Sequence, residues 1–192
     1  MKKYFDENLE IVKKSIDSID IKMFEQLLDE CVNTLNLGKK IIVSGLGKNV
    51  PICDKFMGEM LSLGQNAMFM HTNSAVHGDI GAVCEDDVVI ILTKSGETAE
   101  SVYLYEHLLK KKANIWLLSF ANDSTLANKI DKKIILDLEH EGDDWNIVPN
   151  NSSIVNMIVL QSLAINIARK RNFKLEQFKM NHPGGHIGEL LK

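Results

Sequence analysis

Val88-Val89-Ile90-Ile91 is a run of β-branched residues with no polar position among them. A strand with one wet face alternates apolar and polar side chains. A run like this one must be covered on both faces, as a strand inside a parallel sheet is. Related short β-rich runs occupy Lys40 to Ser44, Ala67 to Met70, Ile115 to Ser119 and Ile134 to Leu138, and the apolar run itself extends to Leu92. Helix-like segments separate most of them, at Lys48 to Leu63 with a stop at Gly64, at Thr98 to Lys112, and near Ser124 to Ile130. Strand and helix taking turns predicts an α/β fold, a doubly wound three-layer α/β/α sandwich around a five-stranded parallel sheet.

Before the first strand, Phe5, Leu9, Val12, Ile16 and Ile19, then Met23, Leu27, Leu28, Val32 and Leu35, recur at helical spacing. Asp17, Ser18 and Asp20 interrupt the series with capping types, which predicts two helices, the second starting near Asp20 and stopping before Gly38. At the other end, Ser152 to Arg171 carries Ile154, Val155, Ile158, Val159, Leu163, Ile167 and Ala168 at core spacing. That helix is apolar over more than one face, which either burial between the sheet and a second subunit or deep cover within a monomer would explain. The 192 residues are 45% apolar and contain no repeat, low-complexity stretch or linker. They read as one domain, 1–192, with helices in 1–37 and the sheet core and C-terminal helices in 38–192.

Composition excludes several classes. The net charge is −4 and the 22 basic residues are scattered, so neither nucleic acid nor an anionic membrane is an expected partner. Cys31, Cys53 and Cys84 are far apart with no CxxC spacing, which argues against a disulfide framework or a thiolate zinc site and for a reducing compartment. The N-terminus turns acidic and amphipathic without a signal-peptide core, and no apolar run approaches membrane-spanning length; a cytoplasmic location is the expectation.

Chemistry concentrates after the strands. Following Leu92, the segment Thr93-Lys94-Ser95-Gly96-Glu97-Thr98 offers three hydroxyls, a glycine that lets the backbone approach, and the start of a helix whose free N–H groups favour an anion. A phosphate fits such a turn; helix capping by Thr93 or Ser95 is the simpler alternative. Gly45-Leu46-Gly47-Lys48 follows the first strand but is no nucleotide loop. A dinucleotide fingerprint needs glycine where Val50 stands, and a P-loop needs glycine at Ile42 and a hydroxyl at Asn49. What is left is a tight turn presenting Lys48 at a strand's carboxyl end. Glu97 in this loop and Glu100 one turn into the helix are three apart, a spacing that places both near the same helix face, for proton transfer or for favouring the positive end of that helix. His71 and His77 flank a loop without the spacing of a strong metal site, so substrate contact or loop structure is favoured over zinc. Glu139 to Asp144 is an acidic segment past the last strand. Pro183 and two glycines carry His182 and His186 out of regular structure.

Taken together, Gly45-Leu46-Gly47-Lys48, His71, Ala75-Val76-His77-Gly78-Asp79-Ile80-Gly81, Ser95-Gly96-Glu97-Thr98-Ala99-Glu100, Glu141, Val148-Pro149 and His182-Pro183-Gly184-Gly185 resemble the SIS (sugar isomerase) domain. Within it they are most similar to the arabinose 5-phosphate isomerase family. The resemblance runs from about Lys39 to the C-terminus. It implies a flavodoxin-like sheet, a homodimer or homotetramer with sites across subunit contacts, and conversion of an aldose phosphate into a 2-ketose phosphate without a cofactor. It also implies that Gly47, Thr93, Ser95, Gly96, Glu97 and Thr98 bind the substrate and its phosphate, and that Lys48, Glu100, Glu141 and His182 are catalytic. His71 and His77 match residues that contact substrate or an inhibitory metal; no metal is expected to be required.

Isomerisation through a cis-enediol needs a group that hands a proton between adjacent carbons and a cation or acid that steadies the enediolate. Glu141 or His182 suits the shuttle, Lys48 the charge, and Glu100 the orientation of Lys48 or ring opening. The alternatives are a non-catalytic module that binds a sugar phosphate, or an isomerase for another pentose, hexose or heptose phosphate. The chain departs from the family at Lys94, in place of a small polar amide, at Asn49, in place of a serine, and over Gly142 to Asn151, which brings two carboxylates and Trp145 near the expected sugar. It runs only a few residues past His182-Pro183-Gly184-Gly185, so no regulatory CBS pair is expected.

Overall fold

In the computed structural model, which describes residues 1–190, Val88–Leu92 forms β3, with all five residues buried. The other strands are β1 (Ile41–Gly45), β2 (Ala67–His71), β4 (Asn114–Ser119) and β5 (Lys133–Ile135). All pairs are parallel, in the order β2-β1-β3-β4-β5. Period-two alternation divides these apolar strands between two cores. Ile41, Val43, Val88, Ile90, Leu92, Trp116 and Leu118 pack to one side, against α1 (Lys2–Asp17), α2 (Ile21–Asn36), α3 (Val50–Ser62) and α7 (Asn151–Lys170). Ile42, Val89, Ile91 and Leu117 pack to the other side, with Leu104 and Leu108 of α5 (Ala99–Leu108) and Leu126 of α6 (Thr125–Lys129). Burying each such aliphatic side chain contributes about 1.5–3 kcal/mol.

The N-terminal helices follow the sequence pattern. Asp20 caps α2, its carboxylate accepting from the N–H groups of Lys22 and Met23 at 2.9 and 3.3 Å. Other boundaries move. A single 3-10 turn, Gly47–Asn49, precedes α3, and another, Leu109–Lys111, follows α5. The last strand ends at Ile135 rather than Leu138. Leu136 is still buried, but only its N–H is tied to the sheet, by donating to Ser119 O.

Three short helices were not expected. α4 (Thr72–Ala75) lies inside the histidine-flanked loop, and α8 (Leu175–Asn181) with α9 (Gly185–Leu190) makes up the tail, so His186 is helical and His182 ends a helix. Helices this short carry no readable period. α7 also corrects an expectation: it is long and apolar enough, by length and composition, to cross a membrane. It packs against α1, α2 and α3 with over half of its most apolar window buried.

Candidate active site

The chain leaves β1 toward β2 on one side and leaves β3 toward β4 and β5 on the other. Loops following the two central strands therefore diverge and open a crevice at the carboxyl edge, where open α/β sheets bind ligands. A cleft of about 230 Å³ occupies that place. The β1 turn supplies Gly47, Lys48 and Asn49, the β3 turn Thr93, Lys94, Ser95 and Thr98, and α7 the side chains of Ser152 and Asn156.

The hydroxyl turn does two jobs. Thr93 Oγ1 accepts from Gly96 N–H and Ser95 Oγ from Glu97 N–H, each at 3.2 Å, so both hydroxyls shape the loop. Each still has its own O–H proton to donate. Thr98 stands at the N-cap of α5 with no capping bond from its side chain, which leaves its hydroxyl uncommitted. Gly96 has φ +68°, and a Cβ there would run into the Ser124 hydroxyl, so only glycine closes this turn. Ser119 Oγ and Phe120 N–H both donate to Lys94 O, at 3.2 Å each, and fix the backbone beneath the Lys94 side chain.

Glu141 stands behind the cleft wall. Its residue is 0% exposed and its carboxylate takes four donors. Lys94 Nζ and Ser152 Oγ reach Oε1, both at 2.6 Å; Asn150 N–H and Ser152 N–H reach Oε2 at 3.0 and 2.9 Å. Burial pushes this carboxyl up, but the Lys94 ammonium and the Ser152 and Asn150 donors outweigh it and hold the group below the ordinary carboxylate range.

The remaining sequence candidates are elsewhere. Glu97 precedes α5, so helical spacing does not relate it to Glu100. Its carboxylate accepts from Thr125 Oγ1 and N–H, at 2.7 and 2.6 Å, which lowers its pKa and turns it away from the cleft. Glu100 lines a neighbouring hollow of about 260 Å³ with Thr72, Asn73, Val76, His77 and Tyr103, rather than the Lys48 cleft. His71 caps α4 through Nδ1, which accepts from Asn73 N–H at 3.2 Å. Among the described residues no group of three His, Cys, Asp or Glu side chains gathers as for a metal ion.

His182 stacks on Phe178, ring centroids 4.0 Å apart, with Nδ1 2.9 Å from Phe178 O. The adjacent Asn181 donates to Ser62 O at 3.1 Å, which ties this part of the chain to the far end of α3. Thirteen residues of α3 separate that end from the Lys48 turn, about 20 Å at helical rise. Within one subunit His182 therefore stands away from the cleft.

Residue reading missed the α7 contribution. Ser152 and Asn156 are one helical turn apart and both buried, polar side chains in line with the apolar positions Val155, Val159 and Leu163 that the same helix buries, and that break in the apolar stripe is visible in the sequence.

The arabinose 5-phosphate isomerases KdsD of Salmonella typhi and Pseudomonas aeruginosa are 28% and 31% identical to this chain over 96% and 93% of its length. Those alignments take in 56% and 55% of the relatives, so the chain spans about half the length of the curated relatives it matches. An E. coli CFT073 protein, c3406, solved in complex with arabinose 5-phosphate, superposes with TM-score 0.87 at 30% identity, covering 95% of both chains. Residues 35–167 match the SIS domain. That span holds all five strands, both turns of the cleft and Glu141, and on this match the chain belongs to the SIS domain family.

Proposed function

We propose that this chain is a sugar phosphate aldose–ketose isomerase that interconverts arabinose 5-phosphate and ribulose 5-phosphate through a cis-enediol. The observation that carries the reading is the cleft at the β1/β3 switch point, where Lys48 faces the Thr93, Ser95 and Thr98 hydroxyls and Glu141 lies one side chain behind the wall. The KdsD relatives and the neighbour solved with arabinose 5-phosphate support the substrate class.

In this reading the hydroxyl turn and the N-terminus of α5 hold the phosphate dianion at one end. Lys48 stabilises charge on the sugar's O1 or O2 as the C2 proton leaves. Glu141 takes that proton and returns it to C1 while the O2 hydroxyl proton passes to O1, so the carbon skeleton and electron count are unchanged and only hydrogen positions move. Glu100 and His77 border the adjoining hollow, where ring opening is assigned. His182 joins the site from a neighbouring copy, which makes a homodimer or homotetramer the working form.

A second reading, a module that binds a sugar phosphate without turning it over, is favoured by the full engagement of Glu141 and the distance of His182. Incubating the purified protein with a panel of aldose and ketose phosphates, with and without chelator, separates the two. The isomerase reading expects interconversion of arabinose 5-phosphate that survives chelation and falls by at least about a hundredfold in Glu141→Gln. Tight binding of one sugar with no turnover of any would overturn it.

A further inference from the structure

We propose that Lys94 is a ligand-operated switch on Glu141: its ammonium occupies the carboxylate until a phosphate in the cleft competes for it, and its departure opens an acceptor position on Oε1. The inference rests on the reading of the cleft as an anion site.

The four donors on Glu141 match the roughly four lone-pair positions of a carboxylate. An oxygen so engaged has no position with which to take a proton from carbon. Three of the donors cannot leave cheaply. Two are backbone N–H groups at the entry of the 20-residue helix α7, and the third is the hydroxyl of Ser152, a residue only 4% exposed. The fourth is different in kind. Lys94 comes from the opposite wall, its side chain is 45% exposed, and it ends in a flexible stem that lines the cleft. Of the four donors, it alone is charged and reaches solvent.

Its alternative partner is close. Lys94 sits between Thr93 and Ser95 in the chain, so a phosphate held by those hydroxyls lies within reach of the same Nζ. A dianion outcompetes a monoanion for one ammonium, and Glu141 also keeps three donors when Lys94 leaves. The buried carboxylate, freed of its cation, becomes the stronger base. Phosphate binding and proton transfer are thereby coupled, and a sugar lacking the phosphate leaves Glu141 engaged. Lys94 acts through Glu141 and is a positioning residue as well as a phosphate contact.

The test is calorimetric titration of the full chain with inorganic phosphate, which involves no turnover, for the wild type, Lys94→Gln, Lys94→Arg, Glu141→Gln and the Lys94→Gln/Glu141→Gln pair, each checked for native circular dichroism. Lys94→Gln is expected to weaken phosphate binding by about tenfold or more, as loss of a charge-assisted hydrogen bond does, and Lys94→Arg to restore most of it. Glu141→Gln is expected to tighten binding severalfold, because the ammonium no longer has a rival partner, and the paired variant to bind like Lys94→Gln alone. Wild-type affinity in Lys94→Gln, or tightening by Glu141→Gln that persists without Lys94, would overturn the switch. Should Glu141→Gln not fold, the Gln and Arg variants at position 94 decide alone. A wild type that binds phosphate in this pattern but converts no sugar phosphate would sink the isomerase reading and leave the switch standing.

Discussion

Burial alone would move Glu141 toward its neutral form, yet Lys94, Ser152 and Asn150 hold it ionised below the ordinary carboxylate range. In the unfolded chain the group returns to water and to its ordinary value. A folded pKa below the unfolded one adds stability above the unfolded range, and that stability is lost as pH falls through the folded value. Glu97 is shifted the same way by donors from Thr125, and so is Asp143, where desolvation is outweighed by N–H donors from the 145–148 turn. The urea midpoint of the wild type is therefore expected to fall between about pH 5 and pH 3, and Glu141→Gln to show a shallower fall; an identical slope would contradict the account of its charge. At this scale, residue types were readable but pairings were not. Lys94 stood out in the sequence as a departure and Glu141 as a carboxylate past the last strand, but their contact depends on two loops meeting over the sheet edge.

The turn between β3 and α5 shows what makes an element readable. Val88–Leu92 is wholly apolar and its strand bounds match the sequence reading, because such a run has no other way to hide both faces. Gly96 was readable as a backbone need, and the structure adds the reason: a positive φ with the Ser124 hydroxyl where a Cβ would go. Replacing it with alanine should destabilise the fold by about 1–3 kcal/mol and abolish phosphate binding by displacing Ser95 and Thr98. A Gly96→Ala protein with unchanged urea midpoint and phosphate affinity would show that the turn is not set by this glycine. Short elements escaped. The four residues of α4 and the tail helices have too few turns for a pattern, and β5 is cut short where Leu136 buries its side chain but only its N–H stays tied to the sheet.

For the molecule as a whole, three catalytic candidates are distributed rather than gathered. Lys48 lies in the cleft, Glu100 in the adjoining hollow, and His182 at the far end of α3, while Ile154 and Ile158 of α7 stay 44% and 39% exposed beside Pro149 and Lys48. The layers and strand order were legible because every apolar strand must be covered, whereas the site's completeness was not, since it depends on what meets the open faces. If copies of the chain share their sites, two inactive variants should repair each other. Lys48→Ala and His182→Ala, each inactive alone, are mixed, unfolded and refolded together, and arabinose 5-phosphate turnover is measured. A shared site predicts recovery of roughly a quarter of wild-type turnover, from mixed pairs in which one of two symmetric sites keeps both residues; no recovery above the separate variants would contradict it.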